Sequence, residues 1–444
     1  MIRRPRALVL VDGEHYPPVV RDAIAAAGQD DQIVAALLLG GTEKLRGEPD
    51  YGVPLEHAGA DPAAAMVAAA GKHAATRVVD LSDEPVLSEA DRFRLINRAL
   101  AAGLSYRGAD FEFWPPPQAR AGVPAIAVIG TGKRIGKTAV CGHLARLLGE
   151  RHRLVVIAMG RGGPELPELL DGAADPPSVD DLLRRSRAGE HAASDFLEDA
   201  ALARVTVVGA RRCGGGMAGA PFLSNVERAV ALARERDPEL LLLEGSGAAL
   251  PPVAADRTVL VTSAVRPAGV LRAGLGPYRV LVSDVVVITM SEPPLADAGQ
   301  VESVRATVRD LKPDATVIAA GMRPCPVEPV AGERVALFTT AESAIHPRLA
   351  GDLADEHGAE VTAVVGSLSD RAALTADLDS PGVLAAQTYL IEIKAAAIDV
   401  VAEAACERGV RVVFCDNRPR SLPGEPDLDT VALDLAAEVV AVGA

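Results

Sequence analysis

Nine residues constrain this chain more than any other segment: Gly130, Thr131, Gly132, Lys133, Arg134, Ile135, Gly136, Lys137 and Thr138. They stand between an apolar run at 125–129 and an amphipathic stretch at 139–148. A strand, a glycine-bearing loop and a helix in that order suit a bound phosphate. Glycines let the backbone curl until its N–H groups point inward, and the helix N-terminus adds the positive end of its dipole. Lys137 is placed to reach the β- and γ-phosphates of ATP, and the Thr138 hydroxyl to hold Mg2+.

The rest of the chain reads as more of the same architecture. At 444 residues it is too long for one core and predicts two or three domains. Apolar runs ending in polar or glycine-rich turns recur at 6–11, 33–39, 77–81, 125–129, 154–159, 205–208, 240–244, 258–262, 285–289, 316–320, 335–338, 361–365 and 410–415. Helical stretches separate several of them, among them 19–27, 63–75 and 88–102, the last opening on Ser88 as N-cap. Continuous apolar runs suit strands covered on both faces. The expected class is α/β: a P-loop NTPase-type parallel-sheet domain with a smaller N-terminal α/β domain. Trp114, Pro115, Pro116 and Pro117, followed by Gly122 and Pro124, read as a linker. The division is 1–120 and 121–444, with a C-terminal α/β extension from about 330.

The net charge of −15 argues against a general nucleic-acid binder. It also means that any anion must be held by local Arg, Lys and backbone N–H groups. Lys is scarce, and two of the few, Lys133 and Lys137, lie in the loop. A compact ammonium on phosphate is a task Arg performs differently. The five cysteines include no C-x-x-C pair, so neither a disulfide framework nor a zinc site is indicated. The N-terminal apolar run is too short for a signal peptide, and no stretch approaches the roughly 20 apolar residues of a membrane span. The expectation is a cytoplasmic protein with no membrane partner.

Other candidate residues sit at strand ends. Glu244 closes the run 240–244 ahead of Gly245, Ser246 and Gly247, where a carboxylate beside the loop can hold Mg2+ or its waters. Arg161, between Gly160 and Gly162, can stabilise charge on a transferring phosphoryl group. Arg211 and Arg212, beside the glycines at 214–216, suit a dense polyanion or equally a solvated loop. Lys394 reads as a phosphate-neutralising cation or as a surface residue at a helix start. Arg418, in the polar group 415–418, could add another cation. In the first domain Asp12, Glu14 and His15 follow a strand. His15 is a candidate proton-transfer or phosphate contact, although a plain polar turn also accounts for it.

The loop departs by one residue from the usual spacing, since Gly130 stands one place early. This nine-residue form resembles that of dethiobiotin synthetase-like ligases, as does the Glu244, Gly245, Ser246, Gly247 segment. The N-terminal VDGEHYPPVV, the loop GTGKRIGKTAV and the segment AMGRGGPE together resemble the cyclic 2,3-diphosphoglycerate synthetase family. That resemblance spans both domains. It implies an ATP-dependent ligase that closes 2,3-diphosphoglycerate into a cyclic phosphoanhydride, with Mg2+ and K+ as cations and a homodimeric assembly. Catalytic roles would fall to Lys133, Lys137 and Arg161, and substrate contacts to Arg161, Arg211, Arg212, Lys394 and His15. Two other readings use the same residues: a kinase or ligase acting on 2-phosphoglycerate or another small anion, and a nucleotide-gated binding protein of the P-loop class.

Overall fold

The computed structural model describes residues 4–394 and 397–443. The chain forms two compact units. One runs to Pro117 and also takes in Leu271–Val282; the other holds Gln118–Val270 and the chain from Ser283 onward.

The first unit is built on a six-stranded sheet in the order Leu55–His57, Gln32–Leu38, Arg6–Val11, Arg77–Asp80, Ser105–Arg107, Glu112–Phe113. All neighbours are parallel except the last pair. The central strand is a run of small and branched apolar residues, Ala7, Leu8, Val9, Leu10 and Val11, all buried, as suits a strand with both faces covered. The helix Glu89–Ala101 begins where the sequence signals it, with Ser88 Oγ accepting the Asp91 N–H at 3.2 Å. Asn97 on this helix is 1% exposed. Its Nδ2 donates to the Gly274 carbonyl and its Oδ1 accepts from the Tyr278 N–H, each at 2.8 Å. Those contacts tie the short helix Gly276–Leu281 into the first unit. The division at residue 120 had left this segment with the second domain.

The second unit is built on a 13-stranded sheet. Its first part runs Glu168–Asp171, Thr206–Cys213, Leu154–Gly160, Leu240–Glu244, Ala125–Gly130, Arg257–Ser263, Val285–Thr289, Thr316–Pro326. From Thr206–Cys213 onward these strands are parallel. The second part runs Arg411–Ser421, Thr388–Ile391, Arg334–Phe338, Glu360–Val365, again parallel among themselves. The seam is a long antiparallel ladder from Ala320↔Ser421 to Pro326↔Cys415. Both seam strands extend well past the apolar runs that announced them, because their outer halves carry polar residues such as Arg323, Asn417 and Arg418.

Since the halves meet antiparallel at the seam, the chain reverses direction there, and residues following strands of both halves line one cleft. One apolar cluster nonetheless spans the halves. Ile126, Val140, Leu144 and Val156 share it with Phe338, Tyr389, Ile391 and Ala436. Each large aliphatic side chain buried there contributes about 1.5–3 kcal/mol relative to exposure, so a common core joins the halves. Thr388–Ile391, unread as a strand in the sequence, is fully buried and central to the second half. Lys394 therefore follows a strand and precedes the helical stretch that begins at Ala397, whose N–H donates to the Lys394 carbonyl at 3.0 Å. No helix among the described residues is long and apolar enough to cross a membrane.

Candidate active site

The loop at 130–138 leaves the central strand Ala125–Gly130 and enters the helix Lys137–Gly149. Gly136 takes φ +75° at the N-cap, the left-handed region that glycine enters at least cost. Arg134 also lies in that region, at φ +57°, a conformation that neighbouring contacts must hold in place. Those contacts are specific. Ile135 is buried, and its carbonyl accepts from Thr289 Oγ1 at 2.7 Å. The Thr131 N–H donates to Val261 O at 3.1 Å. Arg266, which the sequence reading did not single out, donates from Nη2 to the Lys133 carbonyl at 2.7 Å. Its Nη1 lies 2.6 Å from where a Cβ on Gly132 would stand, so its guanidinium lies against the loop.

Lys137 is 7% exposed and forms an ion pair with Glu244, which is 0% exposed. Burial pushes the Lys137 ammonium down, but the charges of Glu244 and Asp195 hold it above the usual lysine range, so it remains a cation. The second Glu244 oxygen is buried without a hydrogen-bond partner among the described residues. Cys141, Asp199 and Glu244 bring their ligand atoms within 4.8 Å of one another beneath the loop helix.

Two guanidinium groups and the aliphatic stem of Lys133 lie against Gly247. A Cβ built there would lie 3.2 Å from Arg161 Nη2, 3.6 Å from Arg212 Nη2 and 3.8 Å from Lys133 Cγ. Arg212 is buried, donating to Gly214 O at 2.8 Å and Ser246 O at 2.7 Å. Burial and the nearby Arg161 charge push its pKa down. Arg211 departs from the expected pairing. It precedes Arg212 on one strand, so alternation turns it to the other face. Its side chain is 40% exposed, with Nη2 3.9 Å from Glu165; neither Arg211 nor Arg212 is among the cleft residues.

The cleft has a volume of about 690 Å³. Its walls include loop residues 132–139, Arg161, Asp195, Glu198, Gly247 and Arg266 from the first half, and Thr339, Glu392, Lys394 and Asn417 from the second. Lys394 Nζ stands 3.8 Å from Glu198 Oε1. About a third of the Lys394 side chain remains exposed. Glu198 sits at the end of the helix Asp195–Glu198, and nothing in its sequence setting distinguished it. Glu292, also in the wall, is gripped in a fork by Arg323 at 2.8 and 2.9 Å and by Arg348 at 2.5 Å. Arg418 bonds Asp416 at 3.1 Å.

His15 belongs to the first unit. Its Nδ1 lies 2.8 Å from Asp12 Oδ1, and Asp12 also accepts the N–H groups of Glu14, His15 and Asp83. Asp12 thus organises the polar turn that the sequence suggested there.

A glycine loop capping a helix at the carboxyl end of a central parallel strand, faced by several cations, defines a P-loop protein of the nucleotide-binding α/β class. Residues 125–320 match the P-loop domain of cyclic 2,3-diphosphoglycerate synthetase, residues 6–114 its N-terminal domain and residues 326–418 its C-terminal domain. The chain belongs to the cyclic 2,3-diphosphoglycerate synthetase family. The synthetase of Rubrobacter xylanophilus is 51% identical over 419 residues, covering 93% of this chain and 94% of that one. The Thermococcus kodakarensis synthetase is 41% identical over 442 residues, 98% and 99% of the two chains. That of Methanothermus fervidus is 40% identical over 427 residues, 93% of each. Among solved structures, LpxK from Aquifex aeolicus in complex with ATP aligns at 14% identity with a TM-score of 0.41, over 73% of this chain and 91% of that one. That likeness is too loose to carry an argument.

Proposed function

We propose that this protein uses ATP to convert 2,3-diphosphoglycerate into its cyclic phosphoanhydride, releasing ADP and phosphate. Beyond family membership, one observation carries the reading: a phosphate loop and a second set of strand ends line one cleft, with cations on both sides.

In this mechanism an oxygen of one substrate phosphate attacks the γ-phosphorus of ATP. The bond from that phosphorus to the bridging oxygen breaks, and ADP leaves. An oxygen of the other substrate phosphate then attacks the phosphorus bearing the new phosphoryl group, closing the ring and expelling inorganic phosphate. Neither step needs a protein nucleophile. Both need two polyanions held in line with their charge neutralised. The loop N–H groups and Lys137 would hold the ATP phosphates. Lys133 and Arg161 would meet charge developing on the transferred group, and Arg212 and Lys394 would hold the substrate. Arg266 would keep the loop in shape through the Lys133 carbonyl.

Mg2+ fits the residues present. Glu244 has a buried oxygen without a partner, and the Thr138 hydroxyl helps stabilise its charge. These two residues would hold the ion, which would supply charge neutralisation at the phosphates. We also propose a cytoplasmic homodimer, for which sedimentation should give twice the 45.9 kDa chain mass.

The test is incubation with ATP, Mg2+ and 2,3-diphosphoglycerate, followed by phosphorus NMR. A cyclic product with stoichiometric ADP supports the proposal. ADP release driven by 2-phosphoglycerate alone, with no cyclic product, replaces it with a kinase.

A further inference from the structure

The seam between the half-sheets brings together two residues with no counterpart in a phosphate loop. Lys394 follows the strand Thr388–Ile391 of the second half, held by a turn in which its N–H donates to Glu392 O at 2.8 Å. Glu198 ends a short helix of the first half, its N–H donating to Ser194 O at 3.1 Å. Both side chains line the cleft. Their separation of 3.8 Å is an ion-pair distance outside hydrogen-bond range, and the ammonium makes no hydrogen bond among the described residues. Asp195, one turn before Glu198, acts electrostatically on both Lys137 and Lys394. The loop lysine and the far-half lysine therefore address the same region of the cleft.

We propose that Lys394 is a catalytic residue that neutralises the phosphoryl group in transit, and that Glu198 is the positioning residue holding it across the seam. This rests on the ATP-dependent reading above and adds a residue to it. On this assignment the second half-sheet supplies part of the transfer machinery. An ammonium with hydrogen-bonding capacity to spare can bond phosphoryl oxygens as their charge develops, which favours the transition state over bound ATP.

The experiment measures cyclic product and ADP for the full chain, Lys394→Ala, Glu198→Gln and the double variant. Lys394→Ala should lower kcat about 100-fold or more, the usual loss for one transition-state donor. Its KM for ATP should stay within about threefold, since the interaction is made in the transition state, and added ethylamine should restore part of the rate. Glu198→Gln should lower kcat in the unaltered chain and have no further effect in the Lys394→Ala chain, because a positioning residue acts only through the residue it holds. A Lys394→Ala chain that turns over within threefold of the unaltered chain, or a Glu198→Gln defect of the same size with and without Lys394, overturns the assignment. So does a rise in the KM for ATP that accounts for the whole Lys394→Ala defect. Those results leave the proposed reaction standing, whereas an unaltered chain that forms no cyclic product overturns both.

Discussion

The ammonium of Lys137 and the carboxylate of Glu244 form an ion pair almost sealed from solvent, at 7% and 0% exposure. Removing one partner of a buried pair strands the other's charge, at about 3–5 kcal/mol, while replacing both is far milder. Lys137→Met should therefore lower the urea midpoint strongly, and adding Glu244→Gln should restore most of it. Neither variant should turn over, because each lacks the phosphate-binding ammonium. Equal midpoints for the single variant and the unaltered chain would mean that Glu244 is already uncharged.

Arg211 and Arg212 are adjacent in sequence and opposite in environment. Arg212→Ala removes a charge-assisted hydrogen bond to the buried Ser246 carbonyl and another to the carbonyl of the exposed Gly214, and should cost about 1.5–3 kcal/mol. It should also reduce kcat/KM. Arg211→Ala should stay within about 0.5 kcal/mol in stability, as surface changes usually do, with normal kinetics. A larger kinetic effect at Arg211 would place that side chain at the substrate.

Glu292 links pH to stability. Burial pushes its carboxyl up, but the hydrogen bonds from Arg323 and Arg348 prevail and hold it below its ordinary value. Because the folded pKa is the lower one, the stabilisation is complete above the unfolded pKa of about 4.3 and is lost as pH falls through the folded value. Glu292→Gln should cost most near neutrality, and the gap to the unaltered chain should narrow below about pH 4.3. Guanidinium unfolding at several pH values reads this directly; a constant gap would remove Glu292 from the acid response.

Some of this was legible in the sequence. The apolar run at 125–129, the glycines and Lys137 describe a loop whose geometry is local, and the structure carries it at the predicted place. Ser88 was legible for the same reason, since an N-cap acts over one turn. Thr388–Ile391 was not, because four buried residues carry no periodicity to separate strand from helix. Arg211 and Arg212 looked like a unit because adjacency is visible in a sequence, whereas strand alternation is visible only once the strand is known to reach residue 213. Arg266, Glu198 and Lys394 acquire their positions from long-range pairing, above all the seam at 320–326 and 415–421, which no short motif encodes.

Asn97 provides a test remote from the cleft. It spends its amide on Gly274 O and the Tyr278 N–H, so Asn97→Ala should cost about 1–3 kcal/mol by leaving buried backbone groups unpaired. Thermal unfolding measures it, and an unchanged transition would show that the segment is held by other contacts.

That segment, Leu271–Val282, also imposes an order on biosynthesis. The chain emerges from the ribosome N-terminus first, and domains generally fold as units during synthesis. Here the first unit contains a helix that follows the phosphate loop by well over a hundred residues. The earliest part of the polypeptide must therefore wait, incomplete, until most strands of the first half-sheet have been made. A fragment cut at the proline-rich stretch before residue 118 would lack a piece of its own fold.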